Sequence, residues 1–230
     1  MKNKKNQKKK IDQGFKKRKL IFSVLSNLLI GIGVLIILLI FGRPLSEEIK
    51  YNFNRIFGIR YQLVEKINPQ NPEKKSANVV NGKREIIPES TDFGIVIPKI
   101  NANAKIFPNV DPYNSKEFLP VLKKGVAHAK GTFFPGGGKN IYLFAHSTDA
   151  FFNAGRYNAV FYLIGKLEKG DEIDIFYRGK LFKYSVFEKK VVPPGAVKYL
   201  EPVKEEILTL QTCYPPGTTL ERLIVRAQKI

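Results

Sequence analysis

The chain opens on polar ground and turns apolar at residue 20. Residues 20–41 run for 22 positions without a charged side chain. As a helix rising about 1.5 Å per residue this segment is roughly 33 Å long, enough to cross the hydrocarbon core of a bilayer. A cleaved signal peptide carries an apolar stretch of only about 7–15 residues and then a small-residue cleavage site; no such site follows here, and the segment reads as an uncleaved anchor. Between residues 42 and 91 the pattern loosens, with Pro44, Pro69, Pro72 and Pro88 punctuating polar runs. This stretch reads as a stalk, with some helix over residues 46–57, where acids lead and basic residues follow.

From residue 92 the texture changes to short runs rich in β-branched and aromatic residues, parted by Gly, Pro and Asn: 94–100, 104–107, 140–145, 172–178, 181–192, 207–213 and 222–228. Such runs predict an all-β barrel or sandwich. Arg178-Gly179-Lys180 is a tight connection between two of them. One or two helical turns fit residues 115–124, where Phe118, Leu119 and Leu122 share a face and Pro120 limits the length. The resulting division is 1–19 tail, 20–41 transmembrane helix, 42–91 stalk and 92–230 folded domain.

Charge orients this plan. The chain carries 39 Lys and Arg against 20 Asp and Glu, a net charge of +19. Ten of the basic residues lie in 1–19 with the single acid Asp12, whereas the fifteen residues after the span hold only Arg43, Lys50 and Arg55. The positive-inside bias then keeps the N-terminus in the cytosol and sends the domain outside the plasma membrane. The same topology accounts for the basic tail, with anionic lipid head groups as its contact; no nucleic-acid partner is needed. With 43% hydrophobic residues the chain has the material for a core, which excludes a wholly disordered polyelectrolyte. One Cys and two His exclude a disulfide framework and a structural zinc site.

The single thiol, Cys213, ends the run Ile207-Leu208-Thr209-Leu210-Gln211-Thr212 just before Tyr214-Pro215-Pro216-Gly217 turns the chain, so a strand carries it to a sheet rim. His146 likewise ends Ile141-Tyr142-Leu143-Phe144-Ala145. Arg222 opens the next strand after Cys213, and an antiparallel return sets its guanidinium beside the thiol. A thiol becomes a nucleophile only when a cation or base favours the thiolate, and these two residue types supply both. The same residues also admit bland roles: an inert core thiol, a hydrogen-bonded rim imidazole, a solvated arginine.

Several motifs in order resemble the sortases, membrane-anchored cysteine transpeptidases of bacterial cell surfaces. Thr209-Leu210-Gln211-Thr212-Cys213 is similar to the family's T-L-x-T-C, and Arg222-Leu223-Ile224-Val225 to its R-L-x-V. Ile97-Pro98-Lys99-Ile100, the segment Gly125-Val126-Ala127-His128 with Gly131-Thr132, and Phe161 to Ile173 with Leu163, Leu167, Gly170 and Asp171 resemble further family segments. Ala145-His146-Ser147 stands where Gly-His-Arg is usual. The resemblance covers residues 94–230 and implies a closed sortase-type β-barrel with short helices. It also implies Cys213 as nucleophile, His146 as general acid and base, and Arg222 as the group steadying substrate and oxyanion. His128 has no family role and reads as structural, in a loop before Gly131.

By the same resemblance the partners are secreted proteins bearing a C-terminal sorting signal and a cell-wall precursor or other amine acceptor. Rival readings are a pilin-polymerising sortase that uses a subunit Lys, hydrolysis with water as acceptor, and a non-catalytic anchored binding module. Asp111-Pro112-Tyr113 has the composition of a pilin-sortase lid but follows the first strands. No cofactor is implied. Gly136-Gly137-Gly138-Lys139-Asn140 lacks the spacing of a phosphate loop and reads as a turn. The acids Glu168, Asp171, Glu172 and Asp174 lack the spacing of a calcium loop; no metal is expected, and Glu172 and Asp174 read as the wet face of a strand.

Overall fold

The computed structural model describes residues 2–63, 79–80, 83–147 and 160–230. The chain divides into two compact units, 1–45 and 46–230. Helix α1 (Lys2–Ile56) contains one stretch, Arg18–Leu38, long and apolar enough to cross a membrane. Its large apolar side chains, Leu20 through Leu38, are exposed, an arrangement untenable in water and natural in lipid.

In the second unit eight strands close a barrel in the order β10-β11-β9-β8-β4-β5-β6-β7. They are β4 (Phe93–Ile97), β5 (Ala102–Val110), β6 (Val126–Ala129), β7 (Ile141–Phe144), β8 (Glu172–Tyr177), β9 (Lys180–Val192), β10 (Ile207–Tyr214) and β11 (Glu221–Lys229). Seven answer to the predicted runs. The eighth, β6, is a four-residue strand in which every residue is buried. A stretch that short and buried on both faces shows no alternation to read. The β8–β9 connection turns through Arg178 (φ 50°) and Gly179 (φ 75°), the pair of positive φ values that lets a two-residue turn follow the sheet twist. Helix α2 (Ser115–Leu122) is N-capped by Asn114, whose side chain accepts from the Lys116 amide, and ends two residues after Pro120.

Two layers of apolar side chains hold the barrel. Inside it, Ile95, Ile97, Leu143, Leu208, Leu210 and Val225 belong to one buried cluster. Outside the wall, Tyr142, Phe144, Ala127, Ala129 and Ile224 pack with Leu122 of α2 and with Tyr199. Period-2 alternation explains the split: on β7 the odd residues go inward and the even ones outward.

The segment expected as a stalk carries structure of its own. α1 continues to Ile56, and β1 (Arg60–Leu63), β2 (Val79–Val80) and β3 (Lys83–Ile86) form a small sheet in which β3 lies between the other two. Leu63 and Ile86 are buried together with Val96 and Phe176 on the outer face of β4 and β8. Burying each such side chain is worth about 1.5–3 kcal/mol, which fixes this sheet on the barrel. The same cover corrects the reading of Asp174: it is fully buried, not on a wet strand face, because β8 has the small sheet over it.

Candidate active site

The wall β7-β10-β11 positions the three residues singled out above. β10 pairs antiparallel with β11, and Cys213 stands directly opposite Arg222. β10 pairs parallel with β7, ending with Gln211 opposite Phe144. Two further bonds extend that alignment: the Ala145 amide donates to the Gln211 carbonyl at 3.2 Å, and Thr212 Oγ1 donates to the Ala145 carbonyl at 2.9 Å. One more step along the same register sets His146 level with Cys213. Residues level in a sheet share a face, and this is the outer face that carries Tyr142 and Phe144. All three residues are half-buried.

The threonines of the Thr-Leu-Gln-Thr-Cys run have a mechanical reason. Thr209 Oγ1 donates to Asn140 Oδ1 at 2.8 Å, and Asn140 in turn donates through Nδ2 to the Tyr199 carbonyl at 2.7 Å. Thr212 ties β10 to the residue before His146. Both hydroxyls are buried, where a satisfied hydrogen bond holds register and an unsatisfied one is costly. Arg222 is steadied by its own loop: Nη1 donates to the carbonyls of Thr219 at 3.1 Å and Glu221 at 3.0 Å.

Sequence reasoning passed over Tyr142 and Gln211. Tyr142 is buried, and its hydroxyl donates to Gln211 Oε1 at 2.5 Å. Burial pushes its phenol well above the ordinary tyrosine range; Arg222 pulls it back and Tyr113 pushes it up. The available signal was the spacing Tyr142, Phe144, His146, alternate positions of one strand.

His128 lies elsewhere, in strand β6 rather than in a loop, and is fully buried. Asn109 donates its amide to Nδ1 at 3.2 Å, so Nε2 carries the proton and donates to the Phe133 carbonyl at 3.0 Å. The ring stacks on Phe134 with centroids 4.4 Å apart. Burial pushes its pKa below the ordinary histidine value, against the raising effect of the Phe133 carbonyl.

The glycine turn is filled from within. Glu206 accepts from the Gly138 amide at 3.0 Å and from the Tyr184 hydroxyl at 2.8 Å. Burial opposes its ionisation, but the amides of Gly138 and Gly136, the Tyr184 hydroxyl and Lys229 together hold its carboxyl below the usual range. Glu168 and Asp171 are bridged by Lys99 Nζ at 2.9 and 2.8 Å, and Glu172 pairs with Lys183 at 3.0 Å.

A sequence profile of the sortase domain matches residues 95–230. The chain belongs to the sortase family. It is 30% identical over 164 residues to sortase D of Bacillus subtilis (strain 168), covering 68% of this chain and 74% of that one. It is 23% identical over 147 residues to sortase A of Listeria monocytogenes serovar 1/2a, covering 64% and 60%. Among solved structures, a sortase D5 transpeptidase of Clostridium perfringens is 28% identical with a TM-score of 0.50, over 66% of this chain and 82% of that one. The sortase C1 of GBS pilus island 1 is 29% identical with a TM-score of 0.51, over 60% and 63%. This sortase thus spans less than two thirds of that pilus-island protein.

Proposed function

We propose that this sortase is a membrane-anchored cysteine transpeptidase in which Cys213, His146 and Arg222 carry the reaction. The observation that carries this reading is the single row of the sheet on which Cys213 and Arg222 face each other, with the end of β7 bringing His146 to the same level. The Cys213 thiolate attacks the carbonyl carbon of the scissile peptide bond of a sorting signal. Negative charge develops on the carbonyl oxygen, where the fixed Arg222 cation stabilises it in the transition state. As the C–N bond breaks, His146 gives a proton to the departing amine, and the acyl group stays on sulfur as a thioester. An acceptor amine then attacks the thioester, loses a proton to His146, and expels the Cys213 sulfur as thiolate.

A cell-wall amine is the acceptor in this reading. A second reading, transfer to a Lys of another subunit, is supported by the likeness to a pilus-island sortase. The basic tail supports an N-terminus in the cytosol and a barrel outside. The enzyme, incubated with a peptide library and a panel of amines including a subunit-type Lys peptide, should yield ligated products by mass spectrometry and an acyl adduct on Cys213. Cleavage with water as the sole acceptor under every amine sinks transpeptidation in favour of hydrolysis; no cleavage and no adduct sinks the enzyme reading.

A further inference from the structure

Beyond the anchor span, α1 turns its amphipathic faces the wrong way round for a soluble protein. Tyr51 and Glu48 face the barrel domain: Tyr51 packs against the barrel core, Lys166 lies over its ring at 5.8 Å, and Lys166 pairs with Glu48 at 3.1 Å. Asn54 donates to the Tyr61 hydroxyl at 3.3 Å. The opposite side is apolar. Ile49, Phe53, Ile56 and Phe57 are 58%, 51%, 78% and 65% exposed, and their spacing of i, i+4, i+7 and i+8 makes one stripe. The Phe53 and Phe57 rings lie against each other with centroids 4.2 Å apart. Large side chains so placed are buried by something other than this unit.

We infer that this stripe docks on the surface of the membrane that holds the chain's own span, so that residues 46–57 lie in the lipid interface and carry the barrel close to the bilayer. The inference rests on the anchor reading of residues 20–41. The occupant follows from continuity and charge. The stripe begins a few residues after the span in the same chain, which makes lipid the apolar phase within reach whatever else is present. Arg60 is exposed just after the stripe, while Lys50 is paired with Glu47 at 2.9 Å. Residues 46–230 hold 28 basic against 19 acidic side chains, which favours an anionic leaflet.

The test uses the full chain in liposomes of neutral or mixed anionic lipid. In a Cys213→Ala background, single cysteines at Ile49, at Phe53 and, as an aqueous reference, at the exposed Lys180 carry an environment-sensitive fluorophore. Labels at 49 and 53 should emit to the blue of the label at 180 and be quenched by nitroxides placed near the lipid head groups, and not by aqueous iodide. Lipid quenching should strengthen when anionic lipid is present. Three results overturn the proposal: labels at 49 and 53 that behave as the label at 180 does, labels shielded from iodide yet untouched by lipid nitroxides, or efficient cross-linking of Phe53→Cys between two copies, which would make the stripe a protein interface. If labels at every position, 180 included, are shielded from reagents added outside, it is the orientation of the anchor that fails, and the two failures are distinguishable.

Discussion

Replacing His128 should cost stability and spare chemistry, and part of its contribution should be lost on acidification. The ring is fully buried and stacked on Phe134. Truncation to Ala opens a cavity of aromatic size and strands two partners, the Asn109 amide and the Phe133 carbonyl. Removing a large buried ring costs about 3–5 kcal/mol. An imidazole is smaller and more polar than Phe, so the expected loss lies near the lower end, about 3 kcal/mol, with the stranded groups included. The neutral ring fits because Nδ1 accepts. A proton placed there would charge a fully buried ring and face the Asn109 N–H, donor against donor. The folded pKa is accordingly lowered below the ordinary value of 6.5.

The unfolded chain then binds more protons than the folded one below about pH 6.5, so this residue's contribution is full above that pH. It falls as the pH drops, by at most about 1.4 kcal/mol per pH unit for one proton, until the folded value is passed. Urea denaturation of wild type and His128→Phe at pH 8, 7, 6 and 5.5 measures this directly. Wild type should lose stability through the lower part of that range more steeply than His128→Phe, and His128→Ala should be the weaker protein at pH 8. Parallel pH dependences in wild type and His128→Phe would refute the buried neutral imidazole. Loss of turnover in folded His128→Ala, with His146→Ala active, would overturn the choice between the two histidines.

Cys213→Ala should abolish the acyl adduct seen by mass spectrometry. His146→Ala should lower turnover by about 10²–10⁴ and Arg222→Ala by about 10²–10³, all three with unchanged circular dichroism. Thr212→Val removes the hydroxyl that holds the Ala145 carbonyl and should cost about 1–3 kcal/mol in denaturant unfolding. The same change should lower kcat more than it raises KM, because the bond fixes the residue next to His146, and Thr212→Ser should recover both. An unchanged kcat in folded Thr212→Val would remove this bond from the positioning of the imidazole.

Local chemistry made much of this protein readable. An uncharged run of 22 residues announces a helix long and apolar enough to cross a membrane, because length and the absence of charge are the whole requirement. Strands such as β10 and β11, with Arg178-Gly179 turning another pair, declare themselves because aliphatic and β-branched runs of strand length are bounded by turn residues. The thiol at the end of one such strand and Arg222 at the start of the next needed only an antiparallel return to meet. Long-range packing decided the rest. β6 lacks a period because the outer layer with Leu122 covers it, and so His128 looked like a loop residue. Asp174 read as solvated because nothing near it in sequence reveals the sheet of β1, β2 and β3 that comes to lie over β8. The parallel pairing of β7 with β10, which brings residue 146 level with residue 213, joins strands more than sixty residues apart. Which face of residues 46–57 is bare was likewise settled by the barrel, since Tyr51 and Lys166 meet only in the folded unit.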